Sequence, residues 1–184
     1  HFIHISTDFV FDGKKGNYLE KDICKPVNIY GNSKLESEKL LNQQPFQSTI
    51  LRTSLVYGKD ADNANFFTWV KSNLENNIEL KIVDDQYRTP TFVCDLTHVV
   101  LRVINQKKYG IYHISSGEVL SIYEIVCNIA EHCGFNSDLV KRINSDKLNQ
   151  IAERPLDSTL LIEKAVRELG FNPTDLNNAL KEFL

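Results

Sequence analysis

Methionine is absent from all 184 residues, and the chain opens at His1 on an apolar run, HFIHIS. Both features lead us to expect a longer parent protein, because a domain seldom starts on a buried strand without a lead-in. No uninterrupted apolar run approaches the roughly 18 residues of a membrane span, and the N-terminus lacks the charged-then-apolar order of a secretory signal. A cytoplasmic protein with no membrane partner is expected. Basic residues give no excess either: 21 stand against 24 acidic ones, for a net charge of −3. Such a balance offers no face for a run of phosphates, so nucleic acid is excluded as the expected partner. The cysteines, Cys24, Cys94, Cys127 and Cys133, form no C-x-x-C pair and read as reduced, mostly buried apolar groups. Cys127, His132 and Cys133 could meet a metal only at a spacing unusual for structural zinc. No glycine-rich phosphate loop joins a strand to a helix; Gly13 and Gly16, the nearest pair, follow DFVFD instead.

What is present is a rhythm of short apolar runs and amphipathic stretches, the pattern of an α/β protein with a mainly parallel sheet. Strands are expected at 1–6, 48–53, 80–83 and 111–115. Helices are expected at 29–43, with Leu35, Leu40 and Leu41 as its apolar stripe, at 65–75, and at 95–106, with Leu96, Val99, Val100, Val103 and Ile104 on one face. Ser121 and Glu124 make a capping box for a helix stopped by Gly134. Two further helices are expected at 159–169, closed by Gly170, and at 174–184, capped by Thr174.

Chemistry concentrates in two places. Tyr30 and Lys34, in YGNSK, share one helix face a turn apart. An ammonium near a phenol favours the phenolate, which suits Tyr30 to give up a proton. Ser6, Thr7 and Asp8 end the first strand, where open α/β sheets put their ligands, and a Thr7 hydroxyl there can bond the oxygen that Tyr30 protonates. An exposed i,i+4 pair and a strand end are the plainer explanations.

These residues stand within STDFVFDG, YLEKD, PVNIYGNSKLESEKLL, LRTSLVYG, VDDQYRTPTFVCDL and GIYHIS, with ERPLDSTL and LGFNP later. Together the strings resemble the dTDP-4-dehydrorhamnose reductase family, within the extended short-chain dehydrogenase/reductase superfamily. The resemblance implies the C-terminal part of a Rossmann-like, doubly wound parallel sheet with a smaller, mostly helical substrate-binding region. Residues 1–58 would complete the dinucleotide-binding domain and hold the active site. Residues 59–184 would mainly bind substrate, with about 93–115 returning to the Rossmann sheet, and about 100 residues carrying the glycine-rich unit would precede His1.

The same resemblance implies Thr7, Tyr30 and Lys34 as the catalytic set, with Tyr30 and Lys34 also touching an NAD(H) or NADP(H) cofactor. Thr7, Asp8, Leu55 and Arg88 would contact a nucleotide-sugar substrate. Leu55 stands where the family usually has Trp. Arg88 would grip the diphosphate or, failing that, pair at the surface with Asp84 or Asp85; that acidic pair is a weak Mg²⁺ candidate. A homo-oligomer is compatible with the resemblance. Reduction of the 4-keto group of a dTDP-6-deoxyhexulose is the leading expectation. The alternatives are a sugar-nucleotide dehydratase or epimerase, and a non-catalytic regulatory subunit resembling the β-subunit of methionine adenosyltransferase. Elimination is disfavoured because Phe9 follows Asp8 where dehydratases carry a second carboxylate.

Overall fold

A computed structural model describes residues 1–59, 65–148 and 150–183. In chain order its strands are β1 (Phe2–Thr7), β2 (Ser48–Thr53), β3 (Val56–Tyr57), β4 (Leu80–Val83), β5 (Tyr87–Arg88), β6 (Thr91–Phe92), β7 (Gly110–Ile114), β8 (Leu120–Ser121) and β9 (Val140–Ile143). Its helices are α1 (Ile29–Asn42), α2 (Phe66–Glu75), α3 (Val93–Asn105), α4 (Ile122–Cys133), α5 (Glu163–Leu169) and α6 (Leu176–Phe183).

The α/β expectation holds. β1, β2 and β7 form a parallel sheet in that order. Thr7 lies opposite Thr53, and Thr53 opposite Ile114, so the carboxyl ends of the strands are level. Val99 and Val103 of α3, with Ala165 and Leu169 of α5, cover this sheet through Leu51, Tyr112 and Ile114. A second core gathers Phe67, Val70 and Leu74 of α2, Ile125, Val126 and Ile129 of α4, and Leu176, Ala179 and Leu180 of α6 against the parallel pair β4–β9. The remaining pairs are short: β3 with β6, parallel, and β5 with β8, antiparallel.

Local chemistry accounts for the helix starts. Asn28 caps α1 by accepting from Gly31 N at 2.8 Å. Gly31 has to be glycine, because a Cβ there would stand 2.1 Å from the carbonyl oxygen of Phe9. Asn65 caps α2 at Thr68 N, 3.1 Å away. Both halves of the Ser121/Glu124 capping box form on α4, and Gly134 closes it at a φ of 68°.

Five expectations need correction. On α1 the fully buried side chain is Glu38, bonded to the Arg52 guanidinium, while Leu35 is only partly buried against the Val10–Phe11–Tyr18–Leu160 cluster and Leu40 is 60% exposed. Ile104 likewise turns outward at 49% exposure. Residues 159–161 pair with Tyr18 instead of turning helical, through the backbone of Thr159 and Leu161, so the expected helix begins only at Glu163. Thr174 does not cap α6: its N–H and hydroxyl both donate to the Asp95 carboxylate, and Asp175 Oδ1 receives Asn178 N instead. The expected end of that helix at Leu184 lies outside the described residues. The cysteines are all free, and against the expected burial Cys24, Cys127 and Cys133 are only half-buried, packed on the edges of the apolar clusters, and Cys94 is exposed. Among the described residues no helix is long and apolar enough to cross a membrane.

Candidate active site

A cleft of about 330 Å³ opens at the carboxyl ends of β1 and β2. Thr7, Asp8, Tyr30, Leu55 and Arg88, five of the six residues singled out by sequence, line it together with Gln86, Ile122 and Arg154. Lys34, the sixth, does not; its ammonium sits a turn along α1 and donates to Ile5 O on β1 at 3.1 Å. Tyr30 is 53% exposed at the cleft edge, its ring meeting Phe9 edge-on at 6.1 Å.

Thr7 is 6% exposed, accepts from Phe9 N at 3.2 Å and donates to Asp8 Oδ1 at 3.2 Å. Asp8 is more deeply enclosed. Its Oδ2 accepts from Ser54 Oγ at 3.1 Å and from the hydroxyl of Ser158. Burial pushes the Asp8 carboxyl above its ordinary range, opposed by the Arg88 charge and the three hydroxyl donors.

Arg88 is 3% exposed, which rules out the surface pair with Asp84 or Asp85. Its Nη1 donates to Tyr87 O at 2.6 Å and to Leu156 O at 3.3 Å, and its Nη2 to Pro155 O at 2.9 Å. The guanidinium thus fastens the 155–156 backbone, next to the cleft residue Arg154, and lies across the Phe9 ring at 5.2 Å. Asp84 pairs with Arg142 at 3.4 Å, and Asp85 accepts from the N–H and hydroxyl of Ser145. Among the described residues no three His, Cys, Asp or Glu side chains converge on a metal position, around Asp84 and Asp85 or around Cys127, His132 and Cys133.

Sequence reasoning passed over Arg154. It is exposed, has no ion pair among the described residues, and lines the cleft. It also lines a second, apolar chamber of about 520 Å³ walled by Phe66, Trp69, Leu80, Ile82 and Leu148. Leu55, Gln86 and Ile122 border both spaces, so the two adjoin, with a cation where they meet. Leu55 stands there with a left-handed backbone, φ 41°, a conformation that costs a residue other than glycine free energy.

A family model described as RmlD substrate binding domain matches residues 1–184. The chain belongs to that family. Its parallel sheet is Rossmann-like, as in the dTDP-4-dehydrorhamnose reductases on which it superposes. It is 36% identical to a dTDP-4-dehydrorhamnose reductase of Aggregatibacter actinomycetemcomitans, over 97% of this chain and 64% of that protein. It is 35% identical to the spore coat polysaccharide biosynthesis protein SpsK of Bacillus subtilis, over 100% of this chain and 63% of the relative. The chain therefore spans just under two thirds of these curated relatives. A dTDP-4-dehydrorhamnose reductase of Bacillus anthracis, solved in complex with NADP, superposes with a TM-score of 0.90 at 30% identity, covering 98% of this chain and 64% of that one. Methionine adenosyltransferase 2 subunit beta of Danio rerio is 28% identical over 99% of this chain and 59% of its own length.

Proposed function

We propose that this chain carries the proton-donating and sugar-nucleotide-binding part of a cytoplasmic NAD(P)H-dependent reductase, acting on the 4-keto group of a dTDP-linked 6-deoxyhexulose. The observation that carries the reading is the junction of Thr7 and Tyr30 at a cleft that continues, past the exposed cation of Arg154, into an apolar chamber. A sugar nucleotide has the same sequence of parts: a polar ring, a diphosphate and a flat base.

The cofactor fits what is here at one end only. Lys34 has a single acceptor, Ile5 O, and no ion pair among the described residues, leaving N–H groups for ribose hydroxyls beside Tyr30. No glycine-rich loop for the pyrophosphate stands in this sequence. When bound, the reduced nicotinamide supplies hydride to the carbonyl carbon. Tyr30 gives its hydroxyl proton to the carbonyl oxygen, so no alkoxide persists. Thr7, released from Asp8 Oδ1, donates to that same oxygen and orients it. Arg154 meets the diphosphate, a role that Arg88, with its nitrogens spent on backbone carbonyls, is poorly free to take. Asp8 and Arg88 hold the wall against which the sugar rests. Phe9 occupies the position of a dehydratase's second acid, so elimination lacks its proton source.

A regulatory-subunit reading draws support from the similarity to methionine adenosyltransferase 2 subunit beta. One experiment separates the two: the protein is mixed with NADPH or NADH and dTDP-4-dehydrorhamnose, and cofactor absorbance is followed. Steady oxidation that requires the ketosugar supports the reductase. Binding of cofactor with no turnover on any dTDP- or UDP-linked ketosugar overturns it.

A further inference from the structure

Glu38 is 2% exposed on the inner face of α1. Carboxylates are seldom buried so fully unless paired, and this one is paired twice over. Arg52 of β2 bonds it side-on, Nε to Oε1 at 3.0 Å and Nη2 to Oε2 at 2.7 Å. Ser6 of β1 donates to Oε1 at 2.5 Å. Arg52 is itself fixed, by Glu20 O at 3.3 Å and by the Phe11 ring at 5.2 Å. Measured against apolar side chains of the same volume, such a buried pair adds little or nothing to stability. What it adds is direction.

That direction bears on the proposed reaction. Glu38 follows Lys34 by four residues and Tyr30 by eight, so the three share one face of α1. Ser6 immediately precedes Thr7, and in the sheet Ser6 lies opposite Arg52. One carboxylate therefore joins the helix bearing the proton donor to the strand bearing the orienting hydroxyl. The first turn of α1 is seated separately, by the close approach of Gly31 to Phe9 O. A helix seated at one end can still roll and slide, and the second tether removes that freedom.

We infer that Glu38 is a positioning residue: through Ser6 and Arg52 it sets how α1 sits on β1, and so the distance from Tyr30 to Thr7 across the substrate carbonyl. The inference rests on the reductase reading above. Displacements near 1 Å at a reacting centre cost up to about 10²-fold in rate.

The test uses Glu38→Leu/Arg52→Met in the full-length protein, with Ser6→Ala as a milder variant that leaves the buried pair intact. The double substitution removes both charges together, so Tm is expected to stay within a few degrees of wild type. kcat is expected to fall about 10- to 100-fold with KM for the ketosugar nucleotide changed less than about threefold, and Ser6→Ala to lower kcat several-fold. Normal kcat in a folded double variant overturns the inference, and so does normal kcat in Ser6→Ala if the double variant fails to fold. Hydrogen exchange of the α1 amides gives a readout free of turnover. Faster exchange over residues 32–42 at unchanged Tm supports the tether, and unchanged exchange refutes it. Should wild type itself reduce no ketosugar, the functional reading falls while the exchange result still judges Glu38.

Discussion

Arg88 Nε lies 3.8 Å from Asp8 Oδ2, and the two side chains are 4% and 3% exposed. Burial acts on both partners: it raises the Asp8 carboxyl and lowers the Arg88 guanidinium. The pair is therefore held by its surroundings, three hydroxyls on one side and three backbone carbonyls on the other, more than by mutual attraction.

A pH-dependent deficit follows for Arg88→Met. An acid raised in the folded state binds its proton more tightly there than when unfolded, so stability falls as pH climbs from the unfolded carboxylate value near 4 toward the folded one. Removing Arg88 pushes the folded value higher and widens that window. The loss relative to wild type should approach about 3–5 kcal/mol at pH 8 and be smaller at pH 5. Urea denaturation at both pH values checks it; an equal loss at each would contradict the account.

His113 moves the other way. Its ring on β7 is buried against Arg52 and bonds Tyr18 O at 3.1 Å, and burial with the Arg52 charge lowers its pKa to about 3. The unfolded imidazole takes a proton below about pH 6.5 while the folded one does not, so stability present above 6.5 is lost as pH falls toward 3. Each pH unit in that window costs about 1.4 kcal/mol. His113→Phe should flatten the slope of unfolding free energy between pH 6.5 and 4.5, whatever it does at pH 8. A slope identical to wild type would mean that the ring is protonated in the fold.

Arg154→Ala should raise KM for the sugar nucleotide about 10- to 100-fold and leave kcat within about threefold, since it removes a charge-assisted grip remote from the carbonyl. Steady-state kinetics with the dTDP-ketosugar give the answer. A fall in kcat at constant KM would remove Arg154 from the diphosphate.

Leu55→Trp should lower KM for the dTDP-ketosugar. An indole at the border of the two chambers adds a flat face and an N–H donor, and one apolar contact of that size is worth about 1–3 kcal/mol. The comparison is wild type against Leu55→Trp over dTDP- and UDP-linked ketosugars. Narrow wild-type selectivity left unchanged by the substitution would take position 55 out of the sugar site.

Much of this was legible because the signals are local. The capping box at Ser121 is set within a single turn and the helix expected at 65–75 within about three, and both form as read. The Tyr30–Lys34 face follows from helix geometry once Asn28 caps α1. Residues whose partners are distant in sequence were not legible. Glu38 meets Arg52 14 positions on, and Ser158 meets Asp8 150 positions away, so neither contact is written in the local pattern. Arg88 reads as a diphosphate grip or a surface partner of Asp84 or Asp85, because nothing in YRTP announces the carbonyls of residues 155 and 156. Residues 159–162 carry an apolar pattern that suits a helix, and the bonds of Thr159 and Leu161 to the backbone of Tyr18 keep the helix from starting before Glu163.

The central claim is that Tyr30 delivers the proton, and Tyr30→Phe measures it most directly, because the change removes one oxygen and keeps the ring against Phe9. With the full-length protein, NADPH and dTDP-4-dehydrorhamnose, kcat should fall about 10²- to 10⁴-fold while the Kd for NADPH stays within about threefold; Lys34→Ala should weaken both. Turnover by Tyr30→Phe within about threefold of wild type would show that another group protonates the carbonyl oxygen, and the site assigned here would be wrong.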